Sequence, residues 1–390
     1  MKRRTKRVLW GLVGAILLLV LLGFGLAPGV AGRLMNRTLD GASGTVTPAA
    51  SALHASLLVA DLHSDALLWD RDLLEHGTWG HTDVPRLVEG RIAVESFTVV
   101  TKVPRTTSIE ANTGNSDLVT PLTVLQRWPR STWSSLLERA LYQAAQLRET
   151  EARSAGRFTI MRSADDLEAY LFRRGTTNDI TAGFLGLEGT HALEGDLANV
   201  DRLFEAGFRM FGLTHFFDNE VGGSAHGMDK EGLSDLGYDV IRRMETLGIL
   251  VDLAHASPTL IDDVLGIATR PLVVSHTGVK ATCDNQRNLD DERLAAIAAT
   301  GGVIGIGLWD TAVCGETPAD WARAVRHAAA VAGVDHVGLG SDWDGAVATI
   351  IDASQTVHLT QALIDAGFED DEIRKIMGGN VIRVLGQVLP

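Results

Sequence analysis

Eight short runs of apolar, β-branched or glycine-containing sequence recur along this chain: LLVAD (57–61), IAVESFTVV (92–100), TAGFLGLE (181–188), MFGLTH (210–215), ILVDLAH (249–255), PLVVSH (271–276), GVIGIGL (302–308) and HVGLGSD (336–342). Runs this short, with apolar residues on both sides of the chain, suit strands buried on both faces of a parallel sheet. Helical patterns lie between them, which argues for repeated βα units. Eight is the number that closes a (β/α)8 barrel, so the expected fold is an α/β TIM barrel.

The connections agree with this. Residues 199–206 form a helical pattern leading into the fourth run. Residues 234–247 place Leu236, Val240, Ile241, Met244 and Leu247 on one face before Gly248 ends the pattern. Residues 101–180 are too long for a single connection. Their irregular stretch rich in Thr, Pro and Asn, followed by a helix around 132–152, predicts an insertion after the second strand rather than a second domain.

The N-terminus is a separate object. After MKRRTKR, residues 8–27 carry no charge in twenty positions, about the length a helix needs to span a bilayer. The five basic residues ahead of them hold the N-terminus in the cytoplasm and place the rest outside, either on an uncleaved anchor or after cleavage of a signal near Gly29-Val30-Ala31. Residues 28–50 mix Gly, Ala, Ser, Thr and Pro without periodicity and read as a linker. The expected organisation is therefore a transmembrane or signal helix over 1–27, a linker over 28–50 and a barrel domain over 51–390. Removing the five N-terminal cations from the 35 basic residues leaves 30 against 49 acidic, a net charge of −19. A body that acidic repels phosphate backbones, which argues against a nucleic-acid partner. The two cysteines, Cys283 and Cys314, either pair in an oxidising compartment or remain buried thiols, and they are too few for a thiolate metal site.

Chemistry in a barrel of this kind sits at the C-terminal ends of its strands. Those ends carry His63 and Asp65 (first strand), Glu188 (third), His215 (fourth), His255 (fifth), His276 (sixth) and Asp342 (eighth). Any one of them has a blander reading as a hydrogen-bonded structural residue or a turn cap. Packing alone gives no reason to desolvate four imidazoles and three carboxylates at one pole. Imidazole with carboxylate is a ligand set for zinc or a similar divalent ion. Two such ions roughly 3.5–4 Å apart can share a hydroxide and polarise the bond it attacks, which is hydrolytic chemistry.

The residues DLHSD (61–65), LEGTHAL (187–193), LTHFFDN (213–219), LVDLAHAS (250–257), VVSHTGVKATCDNQRNLDDE (273–292) and GLGSDWDG (338–345) resemble, in order and spacing, the membrane (renal) dipeptidases. These are zinc metallopeptidases on a (β/α)8 barrel, and the similarity runs over most of 55–385. The resemblance implies two zinc ions, one on His63 and Asp65, the other on His255 and His276, with Glu188 bridging them. It implies that a bridging hydroxide cleaves the peptide bond of dipeptides, including those with a C-terminal D-residue. His215 would contact the scissile carbonyl and steady the oxyanion, and Arg287 would grip the substrate's terminal carboxylate. Asp342 would take the hydroxide's proton and deliver it to the leaving amine, an assignment that neighbouring Asp344 could confuse. A Cys283–Cys314 disulfide and a homodimer follow from the same resemblance.

Without the resemblance, Arg287 reads rather as a surface partner of Asp290 or Asp291, and His215 has an alternative reading as a core histidine. The glycine-rich loop 218–227, ending near His226, is either a plain connection or a wall of the substrate pocket. A related binuclear amidohydrolase or lactonase is the alternative function. Such enzymes usually open with His-x-His and often bridge their metals with a modified lysine, whereas this chain has His63-x-Asp65 and Glu188.

Overall fold

A computed structural model of the protein describes residues 29–39 and 44–390, together with Trp10 and Gly14. The membrane-spanning or signal segment expected over 1–27 therefore lies outside the described residues, apart from those two. Among the described residues no helix is long and apolar enough to cross a membrane.

Eight parallel strands close into a barrel: β1 (Val59–Ser64), β2 (Ile92–Val100), β3 (Thr181–Glu188), β4 (Phe208–Gly212), β5 (Leu250–Asp252), β6 (Val273–Thr277), β7 (Val303–Ile306) and β8 (Val337–Leu339). Each pairs with its sequence neighbour, and β8 closes on β1 through Leu339 and Asp61. Every residue of β1, β2 and β3 is buried, the environment that continuous apolar runs require.

The helices follow their sequence signals. Ser234 caps Asp235–Leu247 by accepting from Gly237 N, and Gly248 ends that helix at φ 73° in the left-handed region a side chain would disfavour. Inside the insertion, Ser135 caps Leu136–Arg153, a helix that starts a few residues later than its pattern suggested. The insertion also contributes Val119–Leu125, Ala164–Arg174 and a short strand, Phe158–Ile160, paired to the start of β3.

Two expectations need correcting. The runs expected to extend to His215, His255 and Asp342 stop as strands at Gly212, Asp252 and Leu339. For two of the three the cause is a left-handed backbone, since His255 has φ 60° and Asp342 φ 61°, which no strand accommodates. The linker 28–50 is not a free tether either. Residues 29–35 are helical, Arg37–Thr38 pairs in parallel with Ala348–Thr349, and a helix begins at Pro48 under a Thr47 cap.

Cys283 and Cys314 are bonded, Cα to Cα 5.2 Å, joining the loop after β6 to the short helix Asp310–Val313. The bridge spans 31 residues of chain. In the chain-entropy account a closed loop of that size contributes about 4 kcal/mol. Replacing both cysteines by alanine should lower the unfolding free energy by that order, read as a lower denaturant midpoint with a somewhat steeper slope as the unfolded chain expands.

Candidate metal centre

The strand ends deliver their ionisable groups to one place. His63, Asp65, Glu188, His215, His255, His276, Arg287 and Asp342 are all buried. Glu188 is the hub. Its Oε1 lies 3.1 Å from His255 Nε2, 3.5 Å from His63 Nε2 and 3.6 Å from His276 Nε2, and its Oε2 lies 3.4 Å from His215 Nε2. Asp65 Oδ1 is 3.5 Å from His63 Nε2. Donor atoms of His63, Asp65 and Asp342 form a second close group beside those centred on Glu188.

This arrangement is hard to satisfy with protons. His255 Nε2 and His276 Nε2 stand 3.0 Å apart, and His63 Nε2 is buried without a hydrogen-bond partner. Buried polar atoms left in this state are costly unless a partner completes them. Divalent cations do so, because each Nε2 offers a lone pair toward a shared carboxylate. The residues present therefore fit metal ions.

Other side chains hold these donors in place. Ser275 Oγ lies 3.0 Å from both His63 Nδ1 and His276 Nδ1, leaving each ring's Nε2 turned to the centre. Thr98 Oγ1 donates to Asp65 Oδ1 at 2.6 Å. Asp252 Oδ1 accepts from Ser275 N at 2.7 Å and Ala254 N at 2.9 Å, tying β5 to β6 directly below the two histidines. Sequence reading missed these partners. Ser275 and Asp252 carry one visible signal, standing in the same strand-end segments as His276 and His255, whereas Thr98 lies on a strand that bears no ligand.

The charge states follow from burial and crowding. Burial opposes a charge on His63, but the carboxylates of Asp65 and Glu188 outweigh it and raise its pKa to about 10. Burial, reinforced by Asp65, pushes Glu188 well above the usual carboxylate range and Asp342 to about 8. His215, His255 and His276 are driven well below the ordinary imidazole value by burial first and by neighbouring positive groups second, so they stay neutral.

Arg287 is not on a surface loop with Asp290 or Asp291. Those acids pair with Arg293 at 2.6 Å and His327 at 2.7 Å, while Arg287 turns inward and donates from Nη2 to His276 O at 2.5 Å. Burial lowers its pKa to about 10, which keeps it cationic. Asp344 separates cleanly from Asp342. It is fully buried and accepts from His81 N at 2.9 Å, Thr82 N at 3.1 Å and Arg71 Nη2 at 2.5 Å, so it organises a loop.

Glu188, His215, His255, His276, Arg287 and Asp342 line one cavity of about 380 Å³. The insertion supplies part of its wall through Val103, Arg105 and Ile109. The loop 218–227 is more than a connection: His226 lines the same cavity, its Nδ1 lies 2.9 Å from Ile109 O, and its carbonyl accepts from Asn112 N at 2.7 Å.

A closed parallel barrel that gathers buried imidazoles and carboxylates at the C-terminal ends of its strands, beside a cavity of this size, has the construction of a metal-dependent hydrolase. Residues 48–389 match the family model of membrane dipeptidase, peptidase family M19, and the chain belongs to that family of metallopeptidases. Among curated relatives, it is 30% identical to dipeptidase tcpJ of Claviceps purpurea over 79% of this chain and 69% of that one. It is also 30% identical to an uncharacterized dipeptidase of Schizosaccharomyces pombe, over 80% and 73%. A match to dipeptidase aclJ of Aspergillus oryzae, at 33%, spans about half of each chain, 53% of this one and 51% of that. Among solved structures, a dipeptidase of family M19 superposes with a TM-score of 0.68 at 25% identity, covering 86% of this chain and 99% of that one. A metallo peptidase from Rhodobacter sphaeroides, liganded with a phosphinate mimic of the dipeptide L-Ala-D-Ala, shares the fold with a TM-score of 0.71 at 24% identity, over 85% and 99%.

Proposed function

We propose that this chain is a dizinc dipeptidase that hydrolyses dipeptides with a free C-terminal carboxylate, including those ending in a D-residue. The observation that carries this reading is the placement of Arg287 and the Glu188-centred donors on one cavity of about 380 Å³. That volume is at the small end for ligand sites and suits a molecule of two residues. The fork of a guanidinium suits a terminal carboxylate, which every dipeptide carries.

His63 and Asp65 would hold one zinc ion, His255 and His276 the other, and Glu188 both. Bound there, the pair supplies an activated water at neutral pH and an electrophile for the scissile carbonyl. His215, neutral because it is buried, is suited to donate a hydrogen bond to the carbonyl oxygen as charge gathers there. The Asp342 carboxylate accepts the proton released in the attack and returns it to the leaving nitrogen. Arg287 orients the substrate and takes no part in proton movement. Replacing Arg287 with Lys keeps the charge but loses the fork. KM should rise roughly 10- to 100-fold with kcat less affected, as expected for one charged hydrogen bond.

The charge states of the metal-free chain set a pH dependence. At pH 7 His63 holds a proton, its pKa being about 10, and Glu188 also lies well above the normal range. Zinc needs the neutral imidazole and the ionised carboxylate, so binding releases protons. Affinity must then rise with pH, by about tenfold per unit for each proton released. Zinc titrations at pH 6 and pH 8 check this, and equal affinities at the two would remove Glu188 and His63 from the site.

The body belongs outside the cytoplasm on this reading, attached by or cleaved from residues 8–27. The basic residues before that apolar run support it, as does a disulfide that needs an oxidising compartment. The activity itself is tested by release of D-alanine from L-Ala-D-Ala by the zinc-loaded protein. A folded chain that holds two zinc ions and releases none would rule out that substrate.

A further inference from the structure

Residues 29–39 lie against the catalytic end of the barrel. Leu39 N donates to Thr349 O at 2.8 Å, continuing the parallel pairing of Arg37–Thr38 with Ala348–Thr349. Gly32 approaches Trp79 so closely that a Cβ there would stand 2.3 Å from ring carbons. Trp79 meets Trp69 edge to face with centroids 6.4 Å apart, and Trp69 Nε1 donates to Asp344 O at 2.6 Å. Met35 lines the substrate cavity together with Gly345, Ala346 and Val347. Asn36, only 3% exposed, accepts from Ala346 N at 2.8 Å and donates from Nδ2 to Gly32 O at 3.2 Å.

The loop these contacts reach has an unusual backbone. Asp342, Asp344 and Ala346 have φ of 61°, 62° and 60°, each in the left-handed region that residues with a Cβ rarely occupy. Such a run persists only where its surroundings over-determine it. Asp344 is fixed by Arg71, His81 and Thr82. The Ala346 amide is met by Asn36, from 310 residues away in sequence.

We propose that Asn36 is a positioning residue of the active site: by holding the Ala346 amide it fixes the loop that aims Asp342, which makes the arm 29–39 part of the catalytic apparatus. The inference rests on reading Asp342 as the proton carrier. Nothing in it requires the arm to touch the substrate or the metal ions.

The full-length chain carrying Asn36→Ala, Asn36→Asp or Gly32→Leu tests it, with kcat, KM and hydrogen exchange of the Ala346 amide as readouts. Asn36→Ala should lower kcat about tenfold, as expected for a slightly displaced catalytic group, leave KM within about twofold, and speed exchange at Ala346. Asn36→Asp keeps an acceptor oxygen and should hold kcat within about threefold of the parent. Gly32→Leu lifts the arm from Trp79 by a different contact and should reproduce the kcat loss. An Asn36→Ala enzyme with unchanged kcat overturns the proposal, and so does one whose only change is in KM. If the parent hydrolyses no dipeptide, the dipeptidase reading fails. Exchange at Ala346 then still decides the arm, and unchanged exchange in Asn36→Ala overturns it.

Discussion

Glu188→Gln should leave the barrel folded and remove nearly all hydrolytic activity, with kcat falling by roughly 10⁴-fold, the several kcal/mol that bound metal contributes to the transition state. All four imidazoles turn a nitrogen toward this carboxylate, at 3.1 to 3.6 Å. An amide offers one neutral oxygen in place of two charged ones, and its NH2 would face nitrogen atoms that have no lone pair to spare once they bind a cation. The metal-free protein should hardly notice the exchange. Burial holds the Glu188 carboxyl well above its normal range, which favours its protonated form, and glutamine resembles that form in shape and charge. Zinc should therefore raise the Tm of the parent and leave that of the variant nearly unchanged, the two starting from similar metal-free values. A variant that keeps two zinc ions and most of its activity would show that the histidines hold metal without this bridge.

The contrast between what the sequence revealed and what it concealed has a physical basis. A strand buried on both faces must be apolar along its length, so all eight barrel strands were visible as runs. Ionisable groups at the ends of such strands are conspicuous because they interrupt the run, as His63 and Asp65 do after VADL. The turn that aims a ligand is not written in the same way. His255 and Asp342 take left-handed backbones that no neighbouring glycine announces, and the runs containing them looked like unbroken strands. Ser275, Thr98 and Asp252 support the ligands through bonds between strands, and each is an ordinary residue until its neighbour in space is known. The arm is the extreme case. Its small and polar residues have a linker's composition, and its order depends on Gly32 meeting Trp79 and Asn36 meeting a distant backbone amide. Arg287 lay between the two extremes: local sequence offered it acidic neighbours, and those neighbours were taken by Arg293 and His327.

Asp342→Asn should cost between about 10² and 10⁴ in kcat, the range for a positioned general acid–base group, while zinc content and KM stay near those of the parent. Its position suits that role: it lines the cavity, and its carboxylate stands close to the donor atoms of His63 and Asp65. Its pKa supplies a second readout. Burial raises it to about 8 in the metal-free chain, and cations bound nearby favour the ionised form, so in the loaded enzyme it falls below that value. The proton carrier must start ionised, so kcat declines as pH drops through that pKa. Asparagine cannot titrate, and the acid limb of the kcat profile should vanish with the bulk of the rate. Asp344→Asn provides the contrast. Its oxygens hold Arg71, His81 and Thr82, so the change should destabilise the fold by about 1–3 kcal/mol through a weakened buried charged pair and leave the acid limb in place. If instead Asp342→Asn keeps more than about a tenth of kcat with its acid limb intact, a smaller effect than general acid–base catalysis supplies, another group carries the proton. His215 then becomes the candidate, because it lies on the same cavity and burial keeps it neutral.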